Sequence, residues 1–317
     1  MDGSEIRRWD ELIPDALGLI FSNLSLKDKL TLIPTICKSW RKAVMGPYCW
    51  QEIDIEEWSC RRQPEELDRM LQMLITRSSG SPRKLCVSDL PNDTIFSYVA
   101  DHASSLQTLQ LPGSKISDSI VEHLAGKMAT ITLLDLTYCG KIGARALEAF
   151  GKNCKFLVTL RRNMHPSDVD VGNRGCQDNE AHAIATTMPK LKHLEIAYMV
   201  ITTEGILDIL SGCRELESLD VRGCWDVKLD DKFLDEKCSG LKVLGPSVMD
   251  NYYRNYYDDL SDYSDSSGYS AWMFSTHLYD GESSDGVWDD EQRLEELELR
   301  FYEGFDEEDD DDFGEFE

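Results

Sequence analysis

Cysteines are the side chains whose spacing most directly suggests chemistry in this chain. Of the ten, Cys154, Cys213 and Cys238 each stand three residues before a repeated apolar position, and Cys139 and Cys224 follow such positions. A structural zinc site needs about four ligands at close spacing, such as Cys-x2-Cys. The nearest cysteines here are eleven residues apart, as from Cys213 to Cys224. The spacing therefore predicts a ladder of small buried thiols and no metal site.

Catalytic motifs give no support for an enzyme. No glycine-rich phosphate loop ends in Lys-Ser or Lys-Thr, and neither His-Glu-x-x-His nor Gly-x-Ser-x-Gly occurs. The six histidines are scattered: His102, His123, His165, His182, His193 and His277. A nucleophilic cysteine would need an unusual position, whereas most cysteines fit the repeated pattern. We therefore expect a non-catalytic protein without a cofactor.

The elements that position these residues follow from an apolar template, Leu-x-x-Leu-x-Leu. Full copies are Leu106/Leu109/Leu111, Ile131/Leu134/Leu136, Leu191/Leu194/Ile196 and Leu216/Leu219/Val221, and weaker copies are Trp50/Ile53/Ile55, Pro82/Leu85/Val87, Leu157/Leu160 and Leu241/Leu244. The period of about 25 residues is typical of leucine-rich repeats. Apolar helical patterns follow the strands at Leu67 to Leu74, Ile120 to Leu124, Leu147 to Phe150, Ile206 to Leu210 and Phe233 to Leu234. The sequence predicts an α/β solenoid whose stacked units form a shallow arc.

The concave strand face of such an arc carries the residues between the apolar positions. Its predicted central row is Gln110, Asp135, Arg161, Glu195 and Asp220, flanked by Tyr138, His193, Tyr198, Arg222 and Trp225. These side chains are polar or aromatic and carry charges of both signs. We therefore predict that this face binds a protein partner.

One copy of the template is irregular. Arg162 occupies its third apolar slot, and the next copy starts 34 residues after Leu157 rather than 25, with the extra residues between Asn163 and Asn179. Departures from a local sequence pattern often occur at functional positions, and loops carry a large share of binding residues. A neutral insertion is the alternative. We add Arg162 to the predicted target-binding residues, because two adjacent arginines, Arg161 and Arg162, need an acidic ligand or segment to compensate them.

Three short helices are predicted before the repeats. Pro14 suits a first helical turn, and one apolar stripe contains Leu17, Ile20, Phe21 and Leu24. Ser25 to Asp28 is similar to a capping box, so a second helix should start there. Pro34 disfavours its continuation, and Thr35 to Ala43 is predicted as the third helix. The apolar positions of this segment favour docking to a partner.

The ordered spacing from Trp9 to Trp50 resembles the F-box motif. The matching residues are Trp9, Ile13, Pro14, Asp15, Leu17, Ile20, Phe21, Leu24, Asp28, Cys37, Lys38, Trp40, Arg41, Pro47 and Trp50. The family usually has Leu-Pro before its first helix, whereas both Leu12 and Ile13 precede Pro14 here, so either can fill the leucine position. The cysteine register resembles the cysteine-containing leucine-rich repeats of plant F-box substrate receptors. A small helical bundle that caps the next domain is the alternative.

This resemblance implies the substrate-recognition subunit of a Skp, cullin and F-box ubiquitin ligase. Such a subunit binds the Skp adaptor, reaches the cullin and RING subunits through it, and recruits a protein target for ubiquitylation and proteasomal degradation. The implied adaptor contacts are Trp9, Leu12, Ile13, Pro14, Leu17, Ile20, Phe21, Leu24, Cys37, Trp40, Pro47 and Trp50. An adaptor-bound scaffold without a degradation role is the alternative. Because Trp50 both ends the F-box match and begins the first repeat, we expect a rigid connection between the F-box and the repeats.

Negative charge is concentrated at the C-terminal end. The chain has a net charge of -26, and residues 250–317 contain 24 Asp and Glu against three Arg, a net of -21 that leaves -5 for residues 1–249. This composition predicts a mostly disordered acidic tail, with a helix candidate at Asp289 to Glu303. The predicted parts are an F-box at residues 9–50, repeats at 50–249 and the tail at 250–317.

Hydropathy and basic clusters bear on location and partners. No apolar run approaches about 18 residues and the start is polar, so neither a membrane span nor a signal peptide is expected. The cysteines then suit a reducing compartment. The basic clusters at Lys38 to Lys42 and Arg161-Arg162 are short, and the acidic tail would repel phosphate, so no nucleic acid is expected. We expect the protein in the nucleus and the cytoplasm.

Overall fold

The computed structural model describes residue 9 and residues 12–60, 62–166, 175–229 and 240–246. The predicted tail at 250–317, its helix candidate at Asp289 to Glu303, the helical pattern at Phe233 to Leu234, and Cys238 lie outside the described residues. So does most of the insert between Asn163 and Asn179, of which residues 163–166 and 175–179 are described.

The N-terminal helices are short and interrupted. Helix α1 spans Pro14–Phe21, a π-helical turn spans Asp28–Leu32, helix α2 spans Ile33–Ile36, helix α3 spans Lys38–Met45, and a 3-10 turn spans Pro47–Trp50. Ser25 caps the second helical segment as predicted, since its Oγ accepts the Asp28 N–H at 3.0 Å.

The predicted boundary at Pro34 is wrong. The segment continues through Pro34 to Ile36, and the chain leaves the helix at Cys37, whose φ and ψ are -160° and 166°. Pro34 lies at the junction where the π-helical turn passes into the first turn of α2. Such a change of helical hydrogen-bonding pattern is a position at which a missing N–H is tolerated. The third helix therefore starts at Lys38 and not at Thr35.

Eight three-residue strands form one parallel sheet in chain order within the described residues. They are β1 Glu52–Asp54, β2 Lys84–Cys86, β3 Thr108–Gln110, β4 Leu133–Asp135, β5 Thr159–Arg161, β6 His193–Glu195, β7 Ser218–Asp220 and β8 Lys242–Leu244. Their middle residues pair across the sheet as one inward row: Ile53, Leu85, Leu109, Leu134, Leu160, Leu194, Leu219 and Val243. The predicted α/β solenoid is confirmed.

The predicted eighth copy is one residue out of register. The template placed Leu244 in the inward row, but Leu219 pairs with Val243, so Leu244 lies opposite Asp220 in the outward row. A slip of one residue exchanges the two faces of a strand. Only Leu241 and Leu244 supported this copy, and its third template position falls on Pro246.

Helices return the chain from one strand to the next. They are α4 Glu56–Ser59, α5 Pro64–Arg77, α6 Asp93–His102, α7 Asp118–Leu124, α8 Ala144–Asn153, α9 Asp178–Thr187 and α10 Thr203–Gly212, with a 3-10 turn at Ala125–Met128. Four of the predicted helical patterns fall on α5, α7, α8 and α10. Sequence analysis did not single out α6 or α9, although α6 buries Ile95, Phe96, Val99 and Ala100. In the described part of the chain, no helix has the length and apolar character needed to cross a membrane.

Trp50 joins the F-box segment to the repeats. Its side chain is fully buried, and its indole N–H donates to the Val44 carbonyl at 2.6 Å. Lys29 Nζ lies 4.8 Å from the Trp50 ring centroid, and Arg77 Cζ, from helix α5, lies 5.7 Å from it. Burial lowers the pKa of Lys29. The Trp50 indole thus contacts one cation from the F-box and one from the repeats, so the two parts of the chain are packed together at this residue.

Candidate functional site

The predicted adaptor residues divide into a buried and an exposed group. Leu17, Phe21 and Trp50 are at most 4% exposed, so their prediction as adaptor contacts is corrected: they are core residues. Helix α3 packs on α1, and the Phe21 and Trp40 rings lie 5.0 Å apart, centroid to centroid. The apolar stripe of α1 therefore faces the F-box's own core. Pro14, Leu24, Cys37, Trp40 and Pro47 are partly buried.

The exposed group is the apolar surface of the F-box. Trp9, Leu12, Ile13 and Ile20 are 38% to 66% exposed, as predicted for residues that meet a partner. Leu19, Leu32 and Ile36 were not among the predicted contacts, and they are at least 50% exposed. With Tyr48 these are eight of the eleven large hydrophobic side chains that the described residues expose. Isolated exposed leucines are ordinary, but this concentration in one small segment marks an interaction surface.

The predicted strand-face row is assembled by the strand register. Gln110, Asp135, Arg161, Glu195 and Asp220 are opposite one another in successive strands. Toward the F-box, the register extends this row to two residues that were not predicted, Asp54 and Cys86, and Leu244 continues it at the other end. We call Asp54, Cys86, Gln110, Asp135, Arg161, Glu195 and Asp220 the outer row.

Ion pairs cover two of the predicted contact residues. Asp135 is 0% exposed and Asp220 is 6% exposed, so neither presents a free carboxylate to a partner. Arg161 lies 3.7 Å from Asp135 and 3.1 Å from Glu195. Arg222 donates from Nε and Nη2 to Asp220 at 2.5 to 3.0 Å. The accessible charges of this face are therefore mainly Arg161, Arg222 and Glu195, with Asp54 and Lys84 at the F-box end.

Arg162 does not belong to this face, and its prediction as a target-binding residue is wrong. The side chain is 1% exposed, its Nε donates to Glu180 Oε2 at 3.1 Å, and its Nη2 donates to the Ile142 carbonyl at 2.7 Å. The apolar slot that Arg162 fills points inward, and Glu180 from α9 supplies the compensating charge. A buried pair with further hydrogen bonds needs no external acidic ligand.

Tyrosines with left-handed backbone conformation flank the outer row. Tyr138 and Tyr198 have φ of 61° and 58°, a genuine departure for bulky residues. The equivalent repeat positions are Asp89, Gly113 and Gly223, and a Cβ at Gly223 would lie 2.3 Å from the Tyr198 ring. Two glycines at the same repeat position were the sequence signal for this backbone. Tyr138 packs its ring 5.7 Å from that of His165, centroid to centroid.

The remaining predicted contacts are more open. Trp225 is 63% exposed, and His193 is exposed with its Nδ1 atom 2.9 Å from Ser218 Oγ. Tyr138 and Tyr198 are partly buried, which raises the pKa of each. These four aromatic side chains all belong to the later repeats. The strand register thus places the five predicted central residues in one row, and Arg162 lies outside it.

The cysteine ladder is confirmed at four positions. The thiols of Cys139, Cys154, Cys213 and Cys224 are buried and donate to carbonyl oxygens of the preceding repeat at 3.1 to 3.4 Å. Burial raises the pKa of Cys139 to about 12, which disfavours the thiolate form that a nucleophile requires. In the ranges described, no group of three or more His, Cys, Asp or Glu is placed to hold a metal ion.

These features define an F-box joined directly to a leucine-rich-repeat arc. Residues 9–52 match the F-box domain family, and residues 127–151 match the leucine-rich repeat family. F-box protein FBW2 of Arabidopsis thaliana is 55% identical over 295 residues, covering 90% of this chain and 92% of that protein. F-box protein SKIP1 of the same plant is 31% identical over 264 residues, covering 77% of this chain and 86% of that protein. The chain belongs to the family of F-box proteins with leucine-rich repeats.

The solved structure of Rad7 with Elc1 from yeast is a more distant likeness. It covers 56% of this chain and 44% of that chain at 17% identity, with a TM-score of 0.43.

Proposed function

We propose that the chain is the substrate-recognition subunit of a Skp, cullin and F-box ubiquitin ligase. The observation that carries this proposal is the group of exposed apolar side chains on the F-box. Each large apolar side chain that becomes buried contributes roughly 1.5 to 3 kcal/mol to association. The surface therefore suits a Skp adaptor, and through it the cullin and RING subunits.

The repeats supply the second half of this function. Their strand face presents Arg161 and Glu195 at positions fixed by the sheet register, with Arg222 held beside them by Asp220. The packing at Trp50 connects the F-box directly to the repeats. A protein target bound there is kept at high effective concentration beside the ubiquitin donor. The chain itself catalyses no reaction. It brings the target close to the ubiquitin donor, for ubiquitylation and proteasomal degradation in the nucleus and cytoplasm.

Adaptor binding is tested by two substitutions on exposed positions. Ile20→Asp with Ile36→Asp places charges on the F-box surface, while Phe21 is left unchanged because it is a core residue. Affinity for a recombinant Skp adaptor should fall about 100-fold or more. The matched control is Phe156→Asp with Leu207→Asp, two exposed apolar residues of the repeats, which should leave adaptor affinity unchanged.

The result is interpreted only for variants whose thermal unfolding matches that of the unsubstituted chain. Unchanged adaptor affinity in the Ile20 and Ile36 variant would overturn the proposal. In cells with the proteasome blocked, purification of the unsubstituted chain should also recover the cullin and a ubiquitylated target. Normal turnover of that target after loss of adaptor binding would contradict the degradation role.

A further inference from the structure

Three basic side chains share one face of helix α3. Lys38, Arg41 and Lys42 stand at positions i, i+3 and i+4 of the helix, and all three are exposed. None of the ion pairs in the described part of the chain includes them, whereas exposed cations of the repeats, such as Arg145 and Lys192, are paired with carboxylates. We call Lys38, Arg41 and Lys42 the basic face of α3.

Helix stability does not account for all of these charges. Lys42 lies in the last turn of α3, where a cation interacts favourably with the helix dipole. Lys38 is the first residue of the same helix, where the dipole disfavours a cation, and the first turn contains no acidic residue. An anion from outside the helix would compensate Lys38 and its two basic neighbours together.

Exposed apolar side chains adjoin the basic face of α3. The Arg41 Nε atom donates to the Pro34 carbonyl at 3.1 Å, which holds this arginine against helix α2. Pro34 is two residues from Leu32 and two from Ile36, and these side chains are 54% and 50% exposed. A ligand that carries both carboxylates and large apolar groups would therefore match this part of the F-box.

The chain itself contains a sequence of this composition. Residues 301–317, which we call the acidic segment, contain ten Asp and Glu, five aromatic residues and no Lys or Arg. The F-box has the opposite charge: residues 12–50 contain five Lys and Arg against two Asp, a net of +3. The acidic segment and the F-box surface are therefore complementary in charge, and both combine charged with large apolar side chains.

The length of the chain allows these two parts to meet. In sequence, 54 residues separate Pro246, which follows β8, from the acidic segment. A chain of that length spans at most about 180 Å. In the sheet, β8 is seven strand spacings from β1, or about 34 Å, and β1 directly follows the F-box. Because both parts belong to one chain, the contact has a high effective concentration.

We infer that the acidic segment docks on the basic face of α3 and on the adjoining Leu32 and Ile36, and that it competes there with the adaptor for the F-box. This inference rests on the proposed function and adds a means of regulating it. The carboxylates compensate the three cations, and the aromatic side chains cover apolar surface that is otherwise exposed. The adaptor must displace the segment before it binds. The contact should weaken as salt concentration rises.

Docking is tested by carbodiimide crosslinking of the full chain, because this reagent couples a carboxylate only to a lysine amine in contact with it. Mass spectrometry of the monomer compares crosslinks from residues 303–317 to Lys38 and Lys42 with those to Lys115 and Lys141, two exposed lysines of the repeats. The α3 lysines should give about fivefold more crosslinks, and about 0.5 M sodium chloride should remove this excess. Equal yields at all four lysines would overturn the inference.

Competition is tested by the affinity of full-length variants for a recombinant Skp adaptor. The segment variant replaces the seven consecutive Asp and Glu of residues 306–312 by Asn and Gln. If the segment occupies the F-box in about four of five molecules, this change should raise adaptor affinity about fivefold. A control of equal net charge has seven other carboxylates replaced in the same way, and its affinity should stay within about 1.5-fold. The residues replaced in the control are Asp258, Asp259, Asp262, Asp265, Asp280, Glu282 and Asp285.

The two measurements separate this inference from the proposed function. Excess crosslinks to the α3 lysines, together with tighter adaptor binding in the segment variant alone, would support the inference. Equal adaptor affinity of the segment and control variants would overturn it and leave the proposed ligase role standing. Crosslinks to α3 that occur only between two copies of the chain would also overturn it. If neither the unsubstituted chain nor the segment variant binds the adaptor, the proposed function fails, and the competition fails with it.

Discussion

The F-box and the repeats depart from the usual distribution of polar and apolar side chains in opposite directions. The F-box exposes eight large apolar side chains, whereas the repeats bury Arg162, Glu180 and Asp135 at 6% exposure or less. The energetic cost of exposed apolar surface is removed when a partner covers it, whereas a buried charge must be compensated by groups within the fold. Exposed apolar residues in the F-box are therefore expected to contact a partner, whereas Arg162 is paired inside the fold.

The largest expected effect concerns Phe21, in contrast to its neighbour Ile20 on helix α1. Phe21 is 4% exposed and Ile20 is 42% exposed. Phe21→Ala should lower the free energy of unfolding by about 3 to 5 kcal/mol, because it leaves a cavity in the F-box core. Ile20→Ala should change it by about 0.5 kcal/mol or less while weakening adaptor binding. Denaturant titration of both variants checks this, and equal destabilisation would show that Ile20 is a core residue too.

The buried pair of the repeats gives the next largest effect. Arg162→Met leaves Glu180 buried with one remaining side-chain donor, Gln177 Nε2 at 2.9 Å, and should cost about 3 kcal/mol of unfolding free energy. Adding Glu180→Met should recover most of this loss, since no charge then stays uncompensated. Denaturant titration of the single and double variants measures the recovery. A double variant as unstable as the single one would mean that packing, and not charge, dominates at this site.

A smaller effect is expected at the turns that follow the strands. Gly223 has a φ of 74°, and an added Cβ would lie 2.3 Å from the Tyr198 ring. Gly223→Ala should therefore cost about 2 kcal/mol in unfolding free energy. Gly175→Ala is the control, because none of the described residues lies within 4 Å of its Cβ position. A neutral Gly223→Ala would show that the Tyr198 ring moves freely and that the turn is not a fixed part of the strand face.

The smallest effect concerns the protonation of Glu56. Its pKa is raised from 4.5 to about 7 by burial, so the folded state holds a proton that the unfolded state has lost between these pH values. The associated stability is present below pH 4.5 and lost as pH rises through about 7. Because Glu56 is partly exposed, the change should be about 1 kcal/mol.

Glu56→Gln should remove this dependence. Relative to the unsubstituted chain, the variant should gain about 1 kcal/mol of unfolding free energy at pH 8 compared with pH 5. Thermal unfolding at the two pH values measures the difference, with Glu65→Gln on helix α5 as the control. The same shift in both variants would show that Glu56 does not have a raised pKa in the folded protein.

Much of the fold follows from local sequence. Leu-x-x-Leu-x-Leu locates seven of the eight strands in register, because alternation of side chains on a strand leaves one inward position per strand that must be apolar. The thiol ladder follows from the same period. Helices α6 and α9 were not predicted. The stripe of Ile95, Phe96, Val99 and Ala100 in α6 was present in the sequence, whereas α9 buries mainly the small residues Ala181 and Ala183 with Ile184.

The F-box shows where periodicity stops being informative. Leu17, Ile20 and Phe21 share one apolar stripe, and a helical wheel gives no reason to separate them. Packing of α3 on α1 buries Leu17 and Phe21 and leaves Ile20 outside. The sequence sets which residues are apolar, but the position of a neighbouring helix decides which of them a partner can reach.

The repeats show the same limit for charge. The sequence by itself determined that Arg162 stands in an apolar slot and that Asp135 lies in the row beside Arg161. Only the tertiary structure decided that Glu180 meets Arg162 across the repeat and that Asp135 is covered completely. The reason is physical: the solvation of a charge depends on every element packed around it, and those elements are distant along the chain.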